Sequence, residues 1–148
     1  MSDLSEIATN IHRLSTVLGR VADRTLQDSY GYGMSQFKIL WMLHKHGEGV
    51  LQTDIAGWLN QTEAAVSRQI RLLHDQGLVT VDVDPENRRN HIIALNETGA
   101  VFAEKAMKVL LKEYEPFFTE LSEAEMQALN QLLEKIFYKV ISVCKETM

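Results

Sequence analysis

The chain has 148 residues, 45% of them hydrophobic, a formal net charge of −5 at pH 7 and a single cysteine, Cys144. This length and apolar content suffice for one domain with a buried core, and a single cysteine excludes an intrachain disulfide. The N-terminus lacks a signal-peptide pattern and no window reaches roughly 18 apolar residues, so we expect a cytoplasmic protein.

A long amphipathic helix is predicted at the N-terminus. Its apolar residues recur at spacings of 3, 4, 3, 4 and 3, the heptad pattern of a helix that packs against another helix. These residues are Leu4, Ile7, Ile11, Leu14, Leu18 and Val21. A partner helix is therefore expected.

A second helix follows Gly31 and Gly33, and Ser35 is its predicted N-cap. Apolar side chains cover so much of its circumference that we expect it to lie centrally. They belong to Phe37, Ile39, Leu40, Trp41 and Leu43. Gly47 and Gly49 are expected to end this helix.

The next two segments have the spacing of a helix-turn-helix. Residues 51–59 form the first helix, Asn60 and Gln61 the turn, and residues 62–76 the recognition helix. Spacing predicts that Val66, Ile70 and Leu73 face the core. The opposite face and the helix start then supply the candidate DNA contacts Thr62, Ala64, Ala65, Ser67, Arg68 and Arg71.

The chemistry of these side chains suits a major groove. Small alanines permit close approach to the bases, Ser67 donates or accepts a hydrogen bond, and Arg68 can pair bidentately with guanine. Thr62 can cap the helix or contact a phosphate. The alternative is that Arg68 and Arg71 are ordinary solvated charges on a surface helix.

Two strand-like runs, residues 78–83 and 91–95, flank a charged turn and predict a β wing. Arg88 and Arg89 occupy the tip of this hairpin, where an arginine can enter a minor groove. The alternative is a charged hairpin that contacts nothing.

The acidic balance argues against DNA binding, because Lys and Arg supply much of the affinity for phosphate. Between residues 62 and 91, four arginines stand against five carboxylates. The DNA interpretation therefore requires the arginines to converge while the acids point elsewhere. A winged-helix module for protein interaction, without specific DNA binding, is the alternative function.

Two further helices are predicted after the wing. Asn96 is the expected N-cap of a helix over residues 97–113, which Pro116 closes. Its inward residues are expected to be Val101, Phe102, Ala106, Val109 and Leu110. Ser122 and Glu125 match a capping box that begins the last helix.

The terminal helices carry more apolar surface than a winged-helix core needs. We therefore assign residues 1–30 and 116–148 to dimerisation, 34–96 to a winged helix-turn-helix and 97–115 to a connecting helix. The alternative is that the terminal helices pack only on each other within a monomer. The proposed dimerisation residues are Leu4, Ile7, Ile11, Leu14, Leu133, Ile136, Phe137 and Val140. The predicted fold class is mainly α with a two- or three-stranded β wing.

In this order the segments resemble the MarR family of bacterial winged-helix transcription regulators. The resemblance covers nearly the whole chain and rests on residues 52–56, 66–73, 77–79, 84–89 and 94–99. It implies an obligate homodimer that binds a pseudo-palindromic operator and commonly represses nearby genes. The family's usual Asp-x-Arg in the wing is here Asn87-Arg88-Arg89, so an ion pair is lost and a less rigid wing is expected.

The resemblance also implies a small phenolic or anionic effector that releases the DNA. An aromatic wall beside a cation suits such a molecule. The candidate lining residues are His12, Arg13, Tyr30, Lys38 and Trp41. The alternative is that the two aromatic residues belong to the core and that the cations are solvated.

No cofactor or metal is expected. His44 and His46 are two residues apart and would point to different faces of a helix, and no cysteine or carboxylate completes a zinc set. Cys144 has the spacing of a small core residue. Because the sequence lacks a nucleophile elbow, a zinc-protease helix and a phosphate loop, we do not expect an enzyme.

Overall fold

The computed structural model describes the backbone of residues 2–147 and the side chains of residues 3–143. The chain divides into two compact units, the first ending at Glu113 and the second beginning at Tyr114. The helices are α1 (Ser2–Tyr30), α2 (Met34–His46), α3 (Gln52–Leu59), α4 (Glu63–Asp75), α5 (Glu97–Tyr114) and α6 (Glu123–Thr147), with a 3-10 turn at Glu115–Phe117. The strands are β1 (Val50–Leu51), β2 (Val79–Val83) and β3 (His91–Leu95).

The three strands form one antiparallel sheet in the order β1-β3-β2. Ile93 lies opposite Val50 on one side and Val81 on the other, and it is fully buried. This mainly helical fold with a three-stranded sheet confirms the predicted fold class. The third strand, β1, is only two residues long, which is why no alternating pattern marks it in the sequence.

Helix α2 is central, as its broad apolar surface predicts. Phe37, Ile39, Leu40 and Leu43 are buried. They pack in a cluster with residues of α3, α4 and the sheet, among them Ile55, Val66, Ile70, Leu73 and Ile93. The helix ends at Gly47, whose φ of 78° lies in the left-handed region that glycine tolerates.

The predicted N-cap of α2 is wrong. Ser35 lies inside the first turn, and Gly33 occupies the cap position. The free amides have one local and one distant acceptor: Gly33 N donates to Gln36 Oε1 in the first turn at 2.9 Å, and Met34 N donates to Asp23 Oδ1 at 2.8 Å. Asp23 belongs to α1, so a local reading of the α2 sequence does not find it.

Helix α5 begins at a junction built around Asn96. Its Oδ1 accepts a hydrogen bond from Gly99 N at 2.7 Å, which confirms the predicted N-cap. Its Nδ2 donates to Gly77 O at 2.6 Å, and its backbone N donates to Leu78 O at 3.3 Å. Asn96 therefore joins the end of α4, the start of β2 and the start of α5.

The inward face of α5 differs from the prediction in that Val101 is exposed, whereas Gly99 and Ala103, which were not predicted, are buried. The buried residues Gly99, Ala103, Ala106 and Leu110 recur every three or four positions. Val101 lies two residues from Gly99 and Ala103, and it is 49% exposed. Glycine and alanine carry this face because the helix approaches its neighbours closely, and such small residues are easily overlooked in an apolar pattern.

The second unit contains α6, which begins at the predicted capping box. Ser122 N donates to Glu125 Oε2 at 2.8 Å, and Glu125 N donates to Ser122 Oγ at 3.3 Å. The hydrogen bond from the Ser122 backbone, followed by that from its side chain, lowers the pKa of Glu125. Among residues 2–147, no helix is long and apolar enough to cross a membrane.

Replacing Gly99 by alanine should destabilise the fold, because the new Cβ would overlap the backbone carbonyl of Leu78. We expect Gly99→Ala to lower the free energy of unfolding by about 1 to 3 kcal/mol, the usual cost of overpacking. Urea unfolding at fixed protein concentration measures this loss. Gly57→Ala is the matched control: nothing lies within 4 Å of its added Cβ, and it should raise stability by about 0.5 to 1 kcal/mol. Equal stability of the two variants would contradict the close contact at Gly99.

Candidate DNA-binding site

Helix α4 packs against the core through one buried face. Val66, Ile70 and Leu73 are 0%, 3% and 0% exposed, respectively, as their spacing predicts. Because the residues on the other side are displaced by about half a turn, they face away from this core. The orientation of α4 therefore follows from its packing.

The opposite face of α4 carries the predicted base-reading residues. Ala64, Arg68 and Arg71 are exposed, while Ser67 and Ala65 on the flanks are half-buried. Gln69 is turned inward, and its amide oxygen is buried without a hydrogen-bond partner among the described residues. The exposed surface thus combines one small residue with two arginines, the composition that approaches and reads a major groove.

Thr62 caps α4 at the end that would approach DNA. Its side-chain oxygen accepts a hydrogen bond from Ala65 N at 3.2 Å, and its backbone is extended. The preceding turn passes through Asn60, whose φ of 50° is in the left-handed region that asparagine tolerates. The two residues therefore fix where the recognition helix begins.

The wing tip is an ordered turn. Asn87 Oδ1 accepts a hydrogen bond from Arg89 N at 3.1 Å, and Asn87 O accepts one from Asn90 N at 2.8 Å. Asp84 N donates to Asn90 O at 3.0 Å and closes the base of the turn. Arg88 is exposed, as is Arg89. With asparagine in place of the family's aspartate, the tip still has a side-chain hydrogen bond at position 87. The lower rigidity expected from the lost ion pair stays a prediction.

The arginines of this surface are not paired with the acids nearby. Among the described residues, the arginines of α4 and of the wing take part in no ion pair. Asp84 Oδ1 accepts the amide proton of Glu86 at 3.0 Å, and Asp75 lies 3.8 Å from His74 Nδ1. Asp75 is four residues from Arg71, about 6 Å along the helix axis at 1.5 Å per residue, and about 10 Å from Arg68. Asp75 therefore weakens the positive potential at the Arg71 end of α4 more than at Arg68.

The five residues proposed to bind an effector do not share one cavity. His12 and Arg13 are exposed on α1, and the Tyr30 ring packs edge-on against Phe102 with centroids 4.9 Å apart. The Trp41 ring stacks on His44 at 5.2 Å, which leaves one of its faces covered. Aromatic packing of this kind is typical of a core position.

Lys38 instead lines a groove of about 440 Å³ between α1 and α2. Arg20, Arg24 and Asp23 also line it, together with Ser15, Thr16, Gly19 and Met34. The Asp23 carboxylate already accepts a hydrogen bond from Met34 N. Arg24 Nε lies 3.8 Å from Asp28 Oδ2, whereas Arg20 and Lys38 take part in no ion pair among the described residues. Three cations therefore line the groove, and one of them is already paired. Sequence reasoning missed Arg20 and Arg24, although both precede Lys38 on the neighbouring helix.

The apolar residues proposed for dimerisation are exposed in the isolated chain. On α1, Leu4, Ile7, Ile11 and Leu14 are between 37% and 69% exposed. On α6, Leu133, Ile136, Phe137 and Val140 are between 44% and 58% exposed. Cys144 belongs to α6, and its side chain lies outside the described residues. Within the described part of the chain, no group of three or more His, Cys, Asp or Glu residues could hold a metal ion.

Sequence comparison identifies the winged-helix part of the chain. Residues 33–91 match the model of the MarR family. The HTH-type transcriptional repressor IacR of Pseudomonas putida is 25% identical over 105 residues, which cover 71% of this chain and 62% of IacR. The match thus spans less than two thirds of that relative.

Solved structures share the fold. A MarR transcriptional regulator from Methanosarcina mazei Go1 has a TM-score of 0.84 at 22% identity, covering 94% of this chain and 99% of that one. A mutant MarR from E. coli, complexed with operator DNA, has a TM-score of 0.72 at 19% identity and covers 90% of this chain and 95% of that one.

The fold and the exposed face of α4 are those of a winged helix-turn-helix module. Residues 33–91 are thus similar to the MarR family, and IacR and the Methanosarcina mazei protein carry the names of transcriptional regulators.

Proposed function

We propose that this protein is a homodimeric, cytoplasmic regulator that binds a pseudo-palindromic operator, with α4 in the major groove and the wing in the minor groove. The observation that carries the proposal is the exposed face of Ala64, Arg68 and Arg71, opposite the buried face of α4. The wing adds Arg88 and Arg89 at an ordered tip. The matched repressor of Pseudomonas putida supports repression as the direction of control.

Dimerisation is proposed from the apolar seam of α1. Leu4, Ile7, Ile11 and Leu14 lie on one side of the helix, and burying them in a partner would remove a contiguous apolar stripe from water. Two copies also suit the function, because two recognition helices about 34 Å apart reach successive turns of one duplex. Operator binding would therefore depend on dimerisation through this apolar stripe of α1.

The effector is proposed to be a small anion that enters the groove between α1 and α2. Lys38, Arg20 and Arg24 supply positive charge there, and Met34 together with the methylene groups of the cations supplies apolar surface. A carboxylate on a small organic body fits both features. Because the groove joins α1 to the first helix of the winged domain, occupancy would bias the position of α4 in the dimer.

Arg68→Ala should weaken operator binding by about 1 to 3 kcal/mol and relax preference at one base position. The reason is the loss of a bidentate contact to a base edge. Binding is measured on a site selected from random duplexes, at several salt concentrations. Arg13→Ala, which removes an exposed arginine from α1, should bind as the wild type does.

The protein-interaction alternative predicts a different result. If selection enriches no duplex, or if the affinity is independent of salt, the acidic chain is a protein-binding module. DNA binding instead requires a log-log slope of roughly −0.9 per phosphate contact.

Ile11→Glu combined with Leu14→Glu should convert the dimer to a monomer and abolish operator binding, because two charges would be buried in the apolar seam. Sedimentation velocity reports the oligomeric state. The control is Ser5→Glu with Thr9→Glu, which adds the same charge on the exposed opposite side of α1. A dimer that survives the first pair would refute the seam.

Lys38→Ala should weaken binding of benzoate, measured by calorimetry and by the shift of the Gly19 amide resonance, since it removes one of three cations from the groove. Benzamide, the neutral isostere, should bind far more weakly to the wild type. Lys112→Ala, an exposed change on α5, is the control. Equal responses to benzoate and benzamide would exclude an anion site.

A further inference from the structure

The wing tip combines two exposed arginines with a neutral hydrogen-bond acceptor. Asn87 Oδ1 accepts the Arg89 amide proton at 3.1 Å, and its backbone oxygen accepts the Asn90 amide proton at 2.8 Å. These two bonds span the tip and hold Arg88 between them. The conformation of the wing tip therefore depends on hydrogen-bond acceptor oxygens of Asn87 and does not require a charged side chain at that position.

The acids of the turn are arranged so that they do not pair with these arginines. The Asp84 carboxylate accepts the Glu86 amide proton at 3.0 Å, and among the described residues Arg88 and Arg89 form no ion pair. Both guanidinium groups are therefore available to phosphate.

An aspartate at position 87 would offer the same acceptor oxygen with a full negative charge. That charge would lie two residues from Arg89 in the same tight turn, and it would attract the exposed Arg89 guanidinium. An arginine that is paired with a carboxylate neutralises DNA phosphate less effectively. The choice between amide and carboxylate thus affects the number of phosphate contacts without altering the turn.

We propose that Asn87 is a positioning residue that orders the wing tip while leaving both Arg88 and Arg89 free to contact DNA. The inference rests on the proposed operator binding. It also predicts that the order of the tip is insensitive to salt, because neutral hydrogen bonds hold it where an ion pair would be screened.

Two substitutions separate the two parts of this role. Asn87→Asp keeps the acceptor and adds the charge, so the Arg89 amide should remain protected from hydrogen exchange while the log-log salt slope of operator binding becomes shallower by about 0.9, equivalent to one phosphate contact. Asn87→Ala removes the acceptor and adds no charge. Its Arg89 amide should exchange faster and its affinity should fall several-fold, with the wild-type slope retained.

The control for added charge is Val83→Asp, which places a carboxylate on an exposed residue of β2 outside the turn. It should change the slope less than Asn87→Asp does. In addition, NMR titration should find a lowered pKa for the carboxyl introduced by Asn87→Asp.

Three results would overturn the inference: a wild-type slope for Asn87→Asp, an equal change with Val83→Asp, or an unchanged Arg89 exchange rate in Asn87→Ala. Failure of the proposed function would be recognised by a different result, because the wild-type protein would then select no duplex. The exchange rates of Arg89 would still test the turn in that case.

Discussion

The burial of one face of α4 is the constraint on which the rest of the site depends. Val66, Ile70 and Leu73 are enclosed by α2, α3 and the sheet, and each contributes roughly 1.5 to 3 kcal/mol through the removal of apolar surface from water. An isolated helix of 13 residues, the length of α4, is only marginally stable in water. The packing that keeps α4 helical therefore also turns Ala64, Arg68 and Arg71 outward.

The junction after α4 extends this constraint to the wing and to α5. Gly77 has a φ of 72°, which turns the chain into β2, and the Asn96 side chain bonds to its carbonyl oxygen. Gly99 lets α5 approach the backbone of Leu78. Since β2 and β3 carry the wing tip, the position of Arg88 and Arg89 relative to α4 follows from these contacts. A rigid spacing between a helix and a hairpin is what two neighbouring grooves require.

An acidic chain can still present a basic surface because charge acts locally. The net charge of −5 is spread over the whole chain, whereas the arginines of α4 and of the wing are exposed and unpaired among the described residues. Asp84 is used as a turn acceptor, whereas Asp75 lies one helical turn beyond Arg71 and is not paired with it. Total charge is thus a weak guide to partners for this fold, and the placement of a few side chains is a stronger one.

Periodicity and capping residues were enough to predict the order of the six helices and the two wing strands, but not β1. They also predicted the core face of α4 and the starts of α4, α5 and α6 at Thr62, Asn96 and Ser122. These are local properties, because a helix repeats every 3.6 residues and a cap reaches only three residues ahead. Three features depended on residues distant in sequence: the hydrogen bond from Met34 N at the start of α2 to Asp23, the close approach of Gly99 to Leu78, and the cationic groove that Arg20 and Arg24 form with Lys38. Tertiary structure alone decided these, because each requires two elements to meet at a distance that only the packing of the whole core sets.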